Sequence, residues 1–265
     1  MYEFNYHRPA SLKEAKRILA GASDAKIIAG GMTLLPAMKF RLARPSDLVD
    51  LAGVSELQGI REKGDRLEIG AMTRHAEVAG SDLVRSRIPA LADLAASIGD
   101  PQVRNRGTLG GSVANSDPAA DYPAAVLAMD AVIKTDKREI PADLFFTGMF
   151  ETALTAGEIL TAVAFVRPKR AAYAKFPNPA SRYAVVGVMV AEHPKGARVA
   201  VTGAGPCAFR APQLERALSG DFSVAALDGL HIDAGNLNSD MHATAEYRAH
   251  LVMVMARRAV AAACA

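Results

Sequence analysis

The segment RGTLGGSVANSDPAAD, residues 106–121, contains paired glycines flanked by hydroxyl residues, followed by small polar side chains and an acid. Glycines allow the main chain to contact an anion closely, and Thr108 and Ser112 can donate hydrogen bonds to phosphate. Asp121 can accept a hydrogen bond from a ribose or a ring N–H. Loops this long inside a compact domain commonly bind a ligand, so the segment predicts a binding loop.

A second double-glycine turn, AGGMTLLP, covers residues 29–36. A short buried strand, residues 25–29, is expected to end at Gly30 and Gly31, and a helix over residues 34–41 to follow at once. This arrangement directs free amides toward one point, which suits a phosphate, although a tight turn without a ligand would have the same sequence. One hydrogen bond to a charged group contributes about 1.5–3 kcal/mol, whereas micromolar affinity requires about 8 kcal/mol. We therefore expect the two turns to bind one diphosphate together.

Around these turns, helix and strand patterns mix without steady alternation, which favours an α+β fold over a doubly wound sheet. The pattern divides the chain into three units, residues 1–56, 57–168 and 169–265, and makes residues 98–121 loop-rich. The helices are expected to start at Ser11, Thr73, Pro89, Ala124 and, for a last helix over about 241–262, Ser239 or Asp240. The strands are expected at residues 48–51, 66–70, 131–135, 158–163, 183–191 and 198–202.

One further glycine motif, GAGPCA at residues 203–208, follows a predicted strand and formally fits the dinucleotide-binding fingerprint. That fingerprint must open a helix. Pro206 and Pro212 make a continuous helix there unfavourable, so the motif is interpreted as a turn.

Composition excludes several classes of function. The net charge of +3, from 31 basic and 28 acidic residues, is too balanced to indicate nucleic-acid binding. Two cysteines, Cys207 and Cys264, cannot supply the four ligands of an iron–sulfur cluster or a structural zinc site. The histidines lack metal-ligand spacing and the serines lack a nucleophile-elbow sequence, so no catalytic or metal-ligating residue is predicted. Neither a signal peptide nor an apolar run of about 20 residues is found, and a soluble, cytoplasmic protein is expected.

The sequence resembles the FAD-binding (medium) subunit of the xanthine dehydrogenase and carbon monoxide dehydrogenase family of molybdenum hydroxylases, over essentially the whole chain. The segments that carry the resemblance are residues 29–34, 69–73, 99–112, 117–123 and 242–248. It implies a two-lobed FAD-binding domain of the type shared with p-cresol methylhydroxylase and vanillyl-alcohol oxidase. A C-terminal α+β domain like that of the carbon monoxide dehydrogenase flavoprotein is expected to follow.

The resemblance also implies which residues contact FAD. Residues 29–34 and 108–112 would bind its pyrophosphate, Asp121 and Leu160 would contact it, and Lys175 would lie near the flavin, where a cation favours the reduced form. Tyr183 matches an aromatic residue near the isoalloxazine in related subunits, although a tyrosine packed in the core would suit its strand equally. The implied set is Ala29, Gly30, Gly31, Met32, Thr33, Leu34, Thr108, Leu109, Gly110, Gly111, Ser112, Asp121, Leu160, Lys175 and Tyr183.

The partners follow from the same resemblance: a large subunit with the molybdenum cofactor and a small subunit with [2Fe-2S] clusters, assembled as a dimer of heterotrimers. Electrons would pass from the clusters to FAD and then to an external acceptor, which the resemblance leaves open among a quinone, an electron-transfer protein, NAD and oxygen. The substrate would be set by the molybdenum subunit. Two alternatives are a stand-alone FAD-dependent oxidoreductase and a nucleotide-binding scaffold subunit without a redox role.

Overall fold

The computed structural model describes residues 1–265, and its first unit is built on a small parallel sheet. Its elements are β1 (Asn5–His7), α1 (Leu12–Gly21), β2 (Ala25–Ile28), α2 (Leu34–Lys39) and β3 (Asp47–Asp50). The strand order is β1-β3-β2, with both pairs parallel. Ser11 caps α1 as predicted, since its Oγ accepts a hydrogen bond from the amide of Glu14 at 3.2 Å. Strand β2 of this sheet ends immediately before the first double-glycine turn.

The second unit has a five-stranded antiparallel sheet with helices packed against it. Its elements are β4 (Ile60–Lys63), β5 (Arg66–Gly70), α3 (His75–Gly80), α4 (Asp82–Arg87), α5 (Pro89–Ala96), α6 (Pro101–Arg104), α7 (Leu109–Asn115), α8 (Tyr122–Ala128), β6 (Val132–Thr135), β7 (Glu139–Pro141), β8 (Phe146–Gly148), β9 (Glu151–Thr152) and β10 (Leu160–Val166). The order is β4-β5-β10-β6-β7, and β8 and β9 form a separate hairpin. Pro89 begins α5 as predicted.

Two short helices lie in the stretch 98–121, which the sequence predicted to be loop-rich, so the loops there are shorter than expected. The Asp100 carboxylate accepts from the Val103 amide at 2.8 Å and caps α6. Thr108 caps α7, and Gly110 within this helix must be glycine because a Cβ there would lie 2.5 Å from the Cβ of Ala71. Tertiary packing therefore overrides the low helix propensity of glycine in this helix.

The predicted cap at Thr73 is wrong. Helix α3 begins at His75, and the Thr73 hydroxyl instead bonds the amide and carbonyl of Gly59 at 3.1 and 3.2 Å. Thr73 thus ties the turn after β5 to the segment before it, and its side chain is unavailable to the helix.

The third unit is a four-stranded antiparallel sheet with a long helix on one face. Its elements are β11 (Arg170–Pro177), β12 (Ala184–His193), β13 (Gly196–Thr202), β14 (Phe209–Arg210), α9 (Pro212–Gly220) and α10 (Ala245–Cys264), and the strand order is β11-β12-β13-β14. Val188 and Val190 belong to the hydrophobic cluster that includes α10 residues, whereas Met189 and Ala191 belong to the cluster of the second unit. Burial on both faces explains why β12 is almost wholly apolar.

The last helix begins later than predicted. Thr244, rather than Ser239 or Asp240, caps α10 by accepting from the Tyr247 amide at 3.3 Å. Asp240 instead accepts from the Arg248 guanidinium at 2.7 Å. The motif at 203–208 is a turn, as predicted, with a φ of +81° at Gly203. No helix in the structure combines the length and the apolar character that crossing a membrane demands.

Backbone contacts join the third unit to the segment that follows α7. The Thr202 hydroxyl oxygen lies 2.9 and 2.6 Å from the carbonyl oxygens of Pro118 and Ala120, which share its one hydrogen. The amides of Gly203 and Ala184 donate to the carbonyls of Pro118 and Ala119 at 2.7 and 3.2 Å. The C-terminal sheet therefore fixes the chain immediately before Asp121.

Candidate functional site: a cavity between two double-glycine turns

The two double-glycine turns lie against each other, as predicted. A Cβ atom added to Gly30 would lie 2.3 Å from the carbonyl oxygen of Arg106 and 2.6 Å from the Cα of Gly107. A Cβ added to Gly111 would lie 3.2 Å from the Cβ of Ala29. Because the nearest atoms at Gly30 are main chain, they cannot rotate away, and only glycine allows this approach. Two segments about eighty residues apart thus form one wall.

The first turn offers a row of unused donors. The main-chain amides of residues 30–34 donate to no other atom of the protein. Gly31 has a φ of +75°, which suits glycine, and the chain enters α2 at Leu34. Successive amides without partners are the donor set that a diphosphate requires, so the residues present fit the pyrophosphate of a dinucleotide.

The second turn is rigidly held. The amides of Leu109 and Gly110 donate to the carbonyls of Thr73 and Ala71 at 3.0 and 2.8 Å. The Thr108 hydroxyl oxygen accepts from the amide of Gly111 at 3.1 Å, which leaves its own hydrogen free to donate. The packing of Gly110 on Ala71 fixes α7 against the end of β5, so this turn is preorganised.

These turns border a cavity of about 570 Å³, within the usual range for a ligand pocket. All of the predicted contact residues line it except Leu109, whose side chain is fully buried in the core, and Lys175. The predicted residues on the wall are Ala29, Gly30, Gly31, Met32, Thr33, Leu34, Thr108, Gly110, Gly111, Ser112, Asp121, Leu160 and Tyr183. The structure therefore brings together residues from all three units.

Several wall residues were not singled out from the sequence. His75, Ile98, Asp117 and Phe150 all line the cavity. Phe150 is more than half exposed and has a φ of +57°, a conformation rare for a side chain of this size. Burial raises the pKa of Asp117. Of these, Asp117 begins one of the segments that carry the family resemblance and Ile98 directly precedes another, whereas no sequence signal marks Phe150.

Asp121 lies in a buried polar cluster at the edge of the cavity. Its carboxylate accepts from the ammonium of Lys175 at 3.0 Å and from the hydroxyl of Tyr173. Burial raises the pKa of Asp121, and the charge of Lys175 and the bond from Tyr173 offset part of that rise. Burial and the neighbouring carboxylate raise the pKa of Tyr173 well above its usual value. The ammonium of Lys175 thus contacts Asp121, not the cavity.

His75 is a buried neutral histidine on the same wall. Its Nδ1 has no partner, its ring packs against Tyr122 at 5.3 Å between centroids, and Gly107 lies close to its Nε2. Burial, followed by the charge of Arg104, lowers the pKa of His75 to about 4. Because the ring is neutral, His75 adds no positive charge to the cavity wall beside the double-glycine turns.

We expect His75 to make stability depend on pH. Its folded-state pKa of about 4 lies below its ordinary value of 6.5, so the unfolded chain takes up the proton first as pH falls. Stability is lost from about pH 6.5 downward, and this one group accounts for about 2 kcal/mol by pH 5. Denaturant unfolding of the wild type and of His75→Gln, each well above pH 6.5 and at pH 5, measures how much stability each protein loses between the two conditions. The variant should lose about 2 kcal/mol less, and the exposed His231→Gln should behave as the wild type does. Equal losses in the wild type and His75→Gln would contradict the assignment.

Comparison with known proteins identifies the family. Residues 2–167 match the model of the FAD binding domain in molybdopterin dehydrogenase, and residues 171–263 match that of the CO dehydrogenase flavoprotein C-terminal domain. The carbon monoxide dehydrogenase medium chain of Hydrogenophaga pseudoflava is 37% identical over 98% of this chain and 96% of its own length. The nicotine 6-hydroxylase medium subunit of Paenarthrobacter nicotinovorans is 36% identical over 96% of this chain and 95% of its own.

A solved structure agrees with this result. Carbon monoxide dehydrogenase from Hydrogenophaga pseudoflava, in a form that lacks the Mo-pyranopterin moiety, superposes with a TM-score of 0.90 at 36% identity. The match covers 99% of this chain and 98% of the other. The α+β fold and both expected domain types are therefore confirmed. The chain belongs to the family of FAD-binding medium subunits of molybdenum hydroxylases that includes carbon monoxide dehydrogenase.

Proposed function

We propose that this chain is the FAD-binding electron-transfer subunit of a heterotrimeric molybdenum hydroxylase. It takes electrons from the [2Fe-2S] clusters of a small subunit and passes them to an external acceptor, while a large subunit carries the molybdenum cofactor. The observation that carries the proposal is the meeting of the two double-glycine turns at one cavity. The matches to medium subunits over nearly the whole chain support it.

When bound, FAD supplies the redox chemistry, and the protein supplies binding and orientation. We assign the pyrophosphate to residues 29–34 and 108–112, where the free amides of residues 30–34 and the Thr108 hydroxyl can donate. Leu160 and Tyr183 form apolar and aromatic parts of the wall, which suit the contact surface of a flavin. The side chain of Met32 is substantially exposed, so we assign the phosphate contact at this position to the main chain.

We propose residues 1–56 and 57–168 as the two lobes of the FAD-binding domain and residues 169–265 as the C-terminal domain. Each contains its own sheet, and the two family models meet near the second boundary. We also propose that the complex, a dimer of heterotrimers, works in the cytoplasm. Both cysteines are free thiols, which suits a reducing compartment.

Affinity purification of the tagged chain from its native host tests the assembly. We expect two further subunits to co-purify, together with FAD, iron and molybdenum. Anaerobic addition of the substrate class that the large subunit accepts should bleach the visible absorbance of the flavin. The matched control is the Gly30→Ala chain, whose complex should contain iron and molybdenum but less FAD, because Gly30 lies at the proposed pyrophosphate site. Recovery of a lone flavoprotein would reject the heterotrimer.

A further inference from the structure

All three hydrogen-bond donors of the Lys175 ammonium have partners inside the protein. They are the carbonyl of Ser97 at 2.9 Å, a carboxylate oxygen of Asp121 at 3.0 Å and the carbonyl of Arg182 at 3.1 Å. An ammonium group has three N–H bonds and no acceptor. The side chain is only 8% exposed, so water has little access to the ammonium group and these three bonds are its main interactions. Lys175 therefore has no donor left for a ligand in the cavity.

Two of those partners belong to segments that border the cavity. Ser97 directly follows the last residue of α5 and precedes the wall residues Ile98 and Gly99, and Arg182 lines the wall beside Tyr183. Lys175 thus links two segments through their main-chain carbonyls: the one that leads into Tyr183, at Arg182, and the one that follows α5, at Ser97. The guanidinium of Arg182 donates to the carbonyl of Gly99 at 3.4 Å and strengthens the same connection.

The segment between Lys175 and Tyr183 is compact but strained. Asn178 and Tyr183 are joined by a main-chain bond of 2.7 Å, and the amide of Arg182 donates to the carbonyl of Asn178 at 2.9 Å. Arg182 has a φ of +62°, a conformation that costs free energy for a residue other than glycine and persists only where its surroundings enforce it. The bond from Lys175 to the Arg182 carbonyl is one of the contacts that enforce it.

We propose that Lys175 is a positioning residue that fixes Tyr183 at the cavity wall and donates no hydrogen bond to FAD; this inference rests on the proposed function. Lys175 acts through the backbone of Arg182, and its charge is neutralised by Asp121. Tyr183, 43% exposed, is the side chain that meets the cofactor.

A double-mutant cycle with Lys175→Met and Tyr183→Ala distinguishes positioning from direct binding. FAD affinity is measured by titration of the apoprotein with FAD. We expect Lys175→Met to weaken binding about tenfold with Tyr183 present, and less than about twofold in the Tyr183→Ala background, because residues acting through one another are not additive. Equal losses in the two backgrounds, or no effect of Tyr183→Ala alone, would overturn the proposal.

A conservative variant and a spectroscopic signal provide a second test. Lys175→Arg keeps the positive charge, but its planar fork cannot meet three acceptors arranged around one ammonium. We expect Lys175→Arg and Lys175→Met to change the visible absorption of bound FAD in the same direction as Tyr183→Ala. Restoration of the wild-type spectrum and affinity by arginine would show that charge alone matters and would reject positioning. If Lys175→Met does not fold, Lys175→Arg replaces it in the cycle.

The control variant is Lys169→Met, which removes an exposed lysine just before the same strand. Its FAD affinity and spectrum should equal those of the wild type. A wild-type chain that never binds FAD would reject the proposed function itself. A bound cofactor with additive effects in the cycle would reject only the role of Lys175.

Discussion

Gly30→Ala is expected to weaken FAD binding by between about fivefold and about a hundredfold. Its new methyl group would lie 2.3 Å from the carbonyl oxygen of Arg106 and 2.6 Å from the Cα of Gly107, so one turn must move away from the other. Overpacking of this kind costs about 1–3 kcal/mol, and each 1.4 kcal/mol changes a dissociation constant about tenfold. Gly30 has no positive φ, so the effect is purely steric.

Titration of the apoprotein with FAD measures this effect, with circular dichroism to establish that the variant is folded. Gly80→Ala is the matched control, because a Cβ at Gly80 meets nothing within 4 Å and alanine is a good helix former. Its FAD affinity should not change. An unchanged affinity in Gly30→Ala would mean that contact between the turns is not needed for binding, and the joint pyrophosphate site would be wrong.

Asp121→Ala is expected to destabilise the fold by about 3–5 kcal/mol. The substitution leaves the buried ammonium of Lys175 without its carboxylate and the hydroxyl of Tyr173 without its acceptor. An unpaired buried charge is far more costly than the absence of both charges. The double variant Asp121→Ala with Lys175→Met should therefore recover most of the lost stability.

Denaturant unfolding of the apoprotein measures these free energies. The exposed pair between Asp228 and Arg257 supplies the control, and Asp228→Ala should cost less than about 1 kcal/mol. A small loss in Asp121→Ala, or a double variant no more stable than the single one, would show that Lys175 is not held as a buried charge. FAD should be absent during the measurement, because a ligand that binds only the folded state adds to the apparent stability.

The sequence predicted well those elements whose signals are local. The cap at Ser11, the proline at the start of α5 and the apolar run of β12 each depend on a few adjacent residues. Helix α7 and strand β11 were missed because their causes are distant. Gly110 of α7 packs on Ala71 and donates its amide to the Ala71 carbonyl, and the alanine-rich β11 is a strand because it pairs along its length with β12.

The same division applies to the site. Paired glycines and hydroxyl residues were sufficient to predict the two turns and their meeting at one cavity. The environment of Lys175 could not be predicted, because two of its three partners, Ser97 and Asp121, lie 78 and 54 residues away in the chain. His75 and Phe150 also line the cavity, but no motif around either residue predicted a position on its wall.

The hydrogen bonds between the C-terminal sheet and residues 118–120 affect which sequence changes such subunits can accept. Two of the four contacts run from the amides of the C-terminal sheet segment to carbonyls, and the Thr202 hydroxyl makes the other two. All four end on main-chain carbonyl oxygens, so they do not depend on the side chains at residues 118–120. The side chains at the accepting positions can therefore change without removing these bonds, whereas two donor positions depend on residue identity: Thr202, which supplies the hydroxyl, and Gly203, where a Cβ would lie 2.5 Å from the carbonyl oxygen of Ala184. Hybrids that join residues 1–168 of one subunit to the C-terminal domain of another should tolerate many side-chain differences at this junction, provided that a hydroxyl residue at 202 and glycine at 203 are kept.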